Sequence, residues 1–205
     1  PTLGLHPTSV KENYNNELKT LKDELEEHKD CVVGVGEIGV DLYWDKTFMK
    51  EQLDAFRQQI EWAINYNLPI IIHTRDAFHE VVEVMETYKG EKSLKGVFHS
   101  FTGSLEEANK LLEYDNFMLG INGVATFKNS NLIETVKHIP TNRLLLETDS
   151  PYLTPVPYRG RRNESSYLSY VAEKISLAYG VSIDEVKEIT TQNALRLFDK
   201  VRPYT

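Results

Sequence analysis

The chain has 205 residues, of which 40% are hydrophobic, and a net charge of −8. This length and apolar content support one substantial core without requiring a second, so we predict a single domain over residues 1–205. The acidic balance argues against a protein that coats nucleic acid through a broad basic surface.

Cysteine content and apolar stretches limit the protein class further. Cys31 is the only cysteine, which excludes an intrachain disulfide bond. No apolar stretch approaches the roughly 18–20 residues that span a bilayer, and neither a signal peptide nor a membrane anchor is visible. We therefore expect a cytoplasmic protein without a membrane partner.

Amphipathic helical patterns alternate with short apolar runs along the chain. The helical patterns cover residues 11–29, 47–66, 76–88, about 164–179 and about 182–198, and capping-box sequences at Ser104 and Ser182 mark helix starts. The apolar runs, typical of parallel strands buried on both faces, cover residues 32–36, 69–72, 96–98, 117–121 and 144–146. This alternation predicts an α/β fold with a parallel sheet.

Four of these runs lead to a residue that can bind a metal ion. Glu37, His73 and His99 each follow one run, and Glu147 and Asp149 come just after the last. An open parallel sheet gathers its ligands at one switch point, whereas a closed barrel brings the ends of all its strands to one active-site face. We therefore predict a (β/α)8 TIM-type barrel.

Each of these residues has an ordinary structural interpretation when it is taken alone. A strand-end glutamate is as often a buried acid paired with an arginine, and a lone histidine near a core is more often a packing residue. Two histidines and two acids at one end of a barrel form instead a mixed nitrogen and oxygen set suited to Zn2+, Mn2+ or Mg2+. A bridging carboxylate in such a set can hold two ions about 3.5–4 Å apart.

The segment Gly34–Gly39 matches the dinucleotide-binding pattern G-x-G-x-x-G. The pyrophosphate in such a site needs a helix N-terminus directly after the glycines, whereas an aromatic loop containing Tyr43 and Trp44 follows here. Glu37 would also repel the phosphates. We therefore interpret these glycines as positions of close packing and turns.

Five segments of the chain occur in the order typical of a known family. They are GEIGVD at 36–41, LPIIIHTR at 68–75, FHSFTGS at 98–104, LETDSPYL at 146–153 and PYRGRRNE at 157–164. In this order they resemble the TatD family of metal-dependent DNases, which belongs to the amidohydrolase-like (β/α)8 barrels. The resemblance extends from Gly4 to about Phe198.

The resemblance implies a divalent-metal-dependent hydrolase that cleaves DNA phosphodiesters by a metal-activated water. Such enzymes are typically 3′→5′ exonucleases that prefer single-stranded ends. By this comparison Glu37 bridges two ions, His73 and His99 hold one of them, and Asp149 binds the other and orients the attacking water. The implied cofactors are Mg2+, Mn2+ or Zn2+, with one or two ions per chain, and Glu37 and Asp149 are the implied catalytic residues.

Further residues of these segments are candidates for contact with the substrate. Arg75 lies two residues after His73, and a polar loop contributes Arg159, Arg162, Asn163 and Glu164. Their alternatives are a surface salt bridge for Arg75 and a helix N-cap for Asn163. We expect His6, in a Gly-x-His-Pro stretch, to line the site rather than to bind metal, and Tyr43 and Trp44 could stack on a base.

One feature of the family is missing from this chain. Family members begin with a strand that carries a His-x-His pair, and the 205 residues contain no such pair. The resemblance therefore implies a barrel without its first two strands, which leaves two sheet edges open to pairing with another chain. We expect a monomer unless these edges pair, and we expect Asp149 to have too few partners to complete a second metal site.

Two other functions remain open from the sequence. A metallohydrolase of the same barrel type could act on a small ester, amide or lactone, which the acidic composition favours slightly. An inactive barrel remnant could act as a binding scaffold, which the missing ligands and open edges favour. Ester turnover without nucleotide release would select the first alternative, and absence of any bound metal would favour the second.

Overall fold

The structure is a computed structural model that describes residues 1–201. The chain forms two compact units, of which the first comprises Pro1–Phe98 with the chain from Leu197 and the second comprises His99–Arg196. Residues 202–205 of the predicted domain lie outside the described residues. The single domain over residues 1–205 stays a prediction.

Parallel strands and helices alternate in the first unit. Its strands pair in chain order and are β1 (Thr2–Leu3), β2 (Gly34–Asp41), β3 (Ile70–Arg75) and β4 (Gly96–Phe98). Its helices are α1 (Tyr14–Glu27), α2 (Met49–Tyr66) and α3 (Phe78–Glu86), and a 3-10 turn covers Pro7–Ser9. The predicted apolar stripes are buried, as seen for Leu18 and Leu25 of α1 and for Phe56 and Ile60 of α2.

Two buried glutamines of α2 hold the backbone of neighbouring segments. The Gln52 side chain accepts the N–H of Asp41 at 2.8 Å and donates to the Asp41 carbonyl at 3.2 Å. Gln59 makes the same two hydrogen bonds with Leu5, at 2.6 and 3.4 Å. Because buried backbone polar groups require partners, these amides satisfy groups that the strand ladders leave unpaired. Helix α2 thereby positions Asp41 and the segment that precedes His6.

Strand β2 contains a bulge at Glu37. Gly36 pairs with Ile71 and Ile38 pairs with Ile72, so β2 uses one more residue than β3 at this point. An extra residue of this kind leaves the regular ladder and re-aims its side chain. The bulge therefore gives Glu37 an orientation that a regular strand would not.

Two strands are longer than the apolar runs that predict them. The sequence places Glu37 and His73 directly after their strands, but β2 continues to Asp41 and β3 continues to Arg75. Both residues therefore lie inside strands. The physical reason is that ladder hydrogen bonds join backbone groups, so a strand can continue through polar residues at its end.

The second unit contains strands β5 (Phe117–Ile121) and β6 (Leu144–Leu146), which pair in parallel. Its helices are α4 (Leu105–Leu111), α5 (Leu132–Val136), α6 (Leu168–Tyr179) and α7 (Ile183–Leu197), with 3-10 turns at Gly123–Thr126, Thr141–Arg143 and Ser165–Tyr167. The predicted capping box is present at Ser104, whose hydroxyl accepts the Glu107 N–H at 3.2 Å. Gly180 ends α6 in the left-handed conformation, at the predicted break between the last two helices.

Helix positions agree with the sequence prediction to within a few residues. The observed helices begin one to four residues after the predicted starts, because the first residues of each pattern form turns, bends, a 3-10 helix or an N-cap instead. Among residues 1–201, we find no helix with the length and apolar character needed to cross a membrane.

Candidate metal centre

The first unit brings together three side chains that could share a metal ion. His6, Glu37 and His73 each offer a ligand atom, and these atoms lie within 4.8 Å of one another. The closest pair joins His73 Nδ1 to Glu37 Oε1 at 2.7 Å, and His6 Nε2 lies 3.7 Å from the same oxygen. Within residues 1–201 this is the one group of three or more such side chains that meets this spacing.

Strand geometry explains how the His73 ring is held. His73 pairs in register with Gly39 of β2, and Glu37 and Asp41 lie two residues to either side of that glycine. Asp41 reaches the ring from the regular part of β2, and the bulge re-aims Glu37 toward the other ring nitrogen, so a carboxylate flanks each end of the imidazole. Gly39 permits this close approach, because its φ is 139° and a Cβ there would collide with the His73 carbonyl.

The second carboxylate of this arrangement, Asp41, is placed to accept a hydrogen bond from His73. Asp41 is only 3% exposed, and its Oδ2 lies 2.9 Å from His73 Nε2. An ionised carboxylate only accepts hydrogen bonds, and an acid faces each ring nitrogen. Metal binding at Nδ1 requires the tautomer in which Nε2–H donates to Asp41 and Nδ1 presents its lone pair. Asp41 Oδ1 accepts the N–H of Tyr43 at 3.0 Å, which fixes the carboxylate in turn.

In the tautomer with Nε2–H toward Asp41, the donor set fits a divalent cation. The Nδ1 lone pair of His73 faces a carboxylate oxygen of Glu37 at 2.7 Å, and two lone pairs at that distance repel unless a cation or proton is shared. Imidazole nitrogen with carboxylate oxygen is a set that Zn2+ and Mn2+ accept, and a histidine ligand whose other N–H donates to a carboxylate is the usual supporting arrangement.

His6 has a different hydrogen-bonding state from His73. Its Nδ1 accepts the N–H of Thr8 at 3.2 Å, so in the neutral ring Nε2 carries the proton and can donate toward Glu37. Binding of an ion by Nε2 requires the other tautomer, in which Nδ1–H donates to Thr8 Oγ1, 2.7 Å away. His6 therefore meets the spacing for a ligand, and its observed partners are also compatible with the predicted role of lining the site.

The second unit contains a related cluster around His99. His99 Nδ1 lies 2.9 Å from Glu147 Oε2, and its Nε2 lies 3.4 Å from Asp149 Oδ1. The other oxygen of Glu147 accepts the N–H of Ser100. Gly120 backs this contact, since a Cβ there would overlap the Glu147 carboxylate. His99 is thus held between two acids two residues apart in the chain.

The loop that carries Asp149 is braced by a buried amide. Asp149 has a φ of 56°, a conformation that a residue other than glycine keeps only where its surroundings enforce it. The Asn163 side chain, 3% exposed, donates to the carbonyls of Thr148 at 2.8 Å and Tyr152 at 2.7 Å. Asn163 therefore supports the Asp149 loop, and its predicted contact with substrate stays a prediction.

Two arginines of the predicted substrate set stack on aromatic rings. In the first unit the Arg75 guanidinium lies 3.8 Å from the centre of the Tyr43 ring and 5.6 Å from that of Trp44, which is 74% exposed. In the second unit the Arg159 guanidinium lies 3.6 Å from the centre of the Phe127 ring. Arg162 and Glu164 are exposed in the same polar loop.

Sequence reasoning missed Asp41 and Glu147 as supports of the two histidines. Asp41 carries a usable signal, since it lies two residues after Gly39 in the regular part of β2 and residues two apart on a strand face the same way. Glu147 is recognisable from the sequence as an acid at the end of an apolar run, but its contact with His99 is not, because that contact depends on the path of the segment after β6. Phe127 was likewise not distinguishable from a packing aromatic.

Comparison with known proteins gives a consistent result over nearly the whole chain. The family described as TatD related DNase matches residues 1–199. The chain is 45% identical over 197 residues to the uncharacterized metal-dependent hydrolase YabD of Bacillus subtilis, covering 96% of this chain and 76% of that protein. It is 36% identical over 197 residues to the uncharacterized metal-dependent hydrolase YcfH of Escherichia coli, with 95% and 72% covered.

Solved structures show the same relationship. The TatD homologue YJJV of Escherichia coli matches with a TM-score of 0.88 and 28% identity, over 97% of this chain and 76% of that one. A TatD family hydrolase of Entamoeba histolytica matches with a TM-score of 0.80 and 26% identity, over 98% and 74%. These matches confirm the predicted α/β, TIM-type barrel class with some strands lacking. The chain therefore belongs to the TatD-related DNase family and is a metal-dependent hydrolase.

Proposed function

We propose that this hydrolase cleaves DNA phosphodiesters, as a 3′→5′ exonuclease that prefers single-stranded ends. The observation that supports this most directly is the donor set of His6, Glu37 and His73, with ligand atoms within 4.8 Å of one another. Bound divalent ions would supply an activated water and stabilise the charge that develops on the leaving oxygen. Glu37, His73, His99 and Asp149 would hold these ions, and His6 would line the site beside Glu37.

The side chains contribute orientation and proton handling to this reaction. Asp41 keeps the Nδ1 lone pair of His73 directed at the site, and Glu147 accepts from the Nδ1–H of His99, which orients that ring. The Asp149 carboxylate accepts a hydrogen bond from the attacking water and so aims it at the phosphorus atom. The support for these roles is the fixed position of each histidine between two acids.

Exposed cations suit contact with the phosphate groups of DNA. Arg75, Arg159 and Arg162 are exposed, and none has a carboxylate partner within residues 1–201. Guanidinium groups bind phosphate oxygens in pairs, and such contacts position a strand without selecting its sequence. We place His6, Asn163 and Glu164 beside the substrate as well. The cytoplasmic location and the monomeric state also remain part of this proposal.

Nucleotide release from a 5′-labelled single-stranded oligonucleotide in Mg2+ or Mn2+ tests the proposal. We expect a ladder of stepwise shortened, labelled products, weaker for a duplex of the same sequence, because removal from the 3′ end keeps the label on the shortened strand. Glu37→Gln should abolish the ladder, since the amide cannot bridge cations. Glu24→Gln, at an exposed position of α1, is the matched control and should cleave normally.

Three outcomes would contradict the proposal in different ways. Immediate release of a labelled mononucleotide would show that degradation starts at the 5′ end. Equal products from the native chain and Glu37→Gln would place the activity elsewhere. Turnover of small esters without any nucleotide release would select the small-substrate hydrolase instead.

A further inference from the structure

A cleft in the second unit has the lining of a nucleic-acid binding site. We propose that this cleft, named here the Phe127 cleft after the ring beside Arg159 and Lys128, binds a segment of single-stranded nucleic acid. The inference rests on the proposed nuclease function and adds a place where the strand is held. The residues of the cleft lie in and around the turn Gly123–Thr126, helix α5 and the start of α4.

The size of the cleft suits a polymer segment better than a single anion. Its volume is about 970 Å³, at the upper end of the roughly 300–1,000 Å³ typical of small-molecule sites. A lone phosphate would fill a small part of this space. Two or more linked nucleotides would fill it.

The charge of the lining is opposite to that of the whole chain. The chain has a net charge of −8, yet the charged side chains that line the cleft are both basic, Lys128 and Arg159. Both are exposed, and neither has a carboxylate partner within residues 1–201. Other lysines of the described residues are neutralised by an acid, as Lys137 is by Glu134. Two unneutralised cations in one cleft favour an anionic ligand.

The Phe127 ring gives Arg159 a fixed plane. The guanidinium lies 3.6 Å from the ring centre, so one face of Arg159 is covered and the opposite face can stack on a nucleobase. The cleft wall is otherwise mixed, with the apolar side chains of Val124 and Leu132 and the amides of Asn129 and Asn131. Apolar surface beside cations and amides matches a strand, which presents flat bases and charged phosphates alternately.

The proposal assigns separate roles to the three named residues. Lys128 binds a phosphate group, and Arg159 stacks on a base and contacts a phosphate. Phe127 holds the planar guanidinium in one orientation. Phe127 is thus a positioning residue, whereas Lys128 and Arg159 touch the strand. These roles predict different dependences on salt, because only a phosphate contact releases counterions.

Fluorescence anisotropy of a labelled oligothymidylate in EDTA measures the affinity without turnover. For single strands, each neutralised phosphate contributes about 0.7 to the slope of log affinity against log salt. Lys128→Gln should lower that slope by about 0.7 and weaken binding about tenfold. Arg159→Lys keeps the charge, so it should weaken binding while the slope is retained, and Phe127→Leu should behave in the same way. Lys187→Gln removes the same charge from α7 and should leave both quantities unchanged.

Several results would overturn the inference. Unchanged affinity and slope in Lys128→Gln and Arg159→Lys would remove the cleft as a binding site, and nucleotide release by the same variants with native KM would show that the proposed nuclease function stands without it. Competition by inorganic phosphate at concentrations equal to those of oligonucleotide phosphate would indicate a single-anion site instead of a strand site. Absence of oligonucleotide binding by the native chain would overturn it as well, and nucleotide release by that chain would then decide whether the nuclease proposal fails with it.

Discussion

The two units place a histidine between two acids in the same way, but they differ in what surrounds it. In the first unit His73 contacts Glu37 and Asp41, and in the second His99 contacts Glu147 and Asp149. The first cluster adds His6 beside the shared carboxylate and so reaches the spacing of a metal-binding group. The first cluster therefore offers three closely spaced ligand atoms within its own unit, whereas the second offers a histidine between two acids without a second imidazole beside it.

The supporting acids differ as well, and their burial indicates how firmly each ring is held. The Asp41 side chain is 3% exposed and contacts the His73 ring from within strand β2. The Glu147 side chain is 19% exposed and contacts the His99 ring from the segment after β6. A buried, fully bonded carboxylate has fewer alternative positions than one near solvent. The comparison thus predicts that the first cluster tolerates substitution less well than the second.

The largest effect should come from the glycines that back the two clusters. Gly39→Ala forces a Cβ against the His73 carbonyl at a φ of 139°, so we expect a loss of about 2–4 kcal/mol in the free energy of unfolding. Gly120→Ala meets only the flexible Glu147 carboxylate and should cost roughly 1 kcal/mol. Urea unfolding of both variants measures the difference.

Gly90→Ala is the matched control for backbone strain. Gly90 has a φ of 97° and no atom within 4 Å of an added Cβ, so it isolates the cost of conformation from that of collision. If Gly39→Ala were no less stable than Gly90→Ala, close packing of β2 against His73 would not be the basis of the first cluster.

A second effect concerns metal affinity. Asp41→Asn allows the wrong tautomer of His73, and loss of such a supporting carboxylate typically weakens metal binding about 10–100-fold. We expect a smaller loss for Glu147→Gln. Titration calorimetry with Mn2+ measures both affinities, and 15N NMR of the imidazole reports directly which ring nitrogen of His73 carries the proton. A reversed order of the two variants, or an unchanged tautomer in Asp41→Asn, would break the comparison.

The stability of the two units can be compared through one tyrosine hydrogen bond in each. The Tyr179 hydroxyl of α6 donates to the carbonyls of Val136 and Ile139, and these groups are partly buried. Tyr179→Phe removes the hydroxyl from both carbonyls, of which that of Val136 still accepts the N–H of Ile139, and should cost about 1–3 kcal/mol. In the first unit Tyr14 donates to Asp54 near solvent, so Tyr14→Phe should change stability by less than about 0.5 kcal/mol. Equal thermal unfolding shifts for the two variants would contradict this difference.

The smallest effect should be an alkaline loss of stability. Burial raises the pKa of Tyr179 above its ordinary value, and burial together with Glu61 raises the pKa of Tyr88 to about 12. A raised pKa in the folded state means that the stabilisation is complete below pH about 10 and is lost as the pH rises through the folded pKa. The native chain should therefore lose stability above pH 10 more steeply than Tyr179→Phe. Parallel pH profiles from urea unfolding at pH 9–11 would contradict this.

The sequence predicts well which strands carry the candidate metal-binding residues, but it does not predict the side chains that support those residues. Apolar runs locate β4, β5 and β6 correctly, because buried parallel strands need β-branched or large apolar residues on both faces. The apolar runs before Glu37 and His73 place these residues on successive strands, although both lie inside their strands and not after them. That Asp41 is the second partner of His73 depends on register across β3, and register is a property of two segments rather than of one.

The bulge in β2 has a consequence for how this site could change over time. Because β2 has two residues where β3 has one, the strands pair on either side of the bulge without a pairing at Glu37. A substitution there alters the chemistry while the sheet keeps its bonding, so the position is free to vary independently of the fold. Under the function proposed above, activity can therefore be lost in a chain that still folds, and a descendant without activity would keep the same architecture.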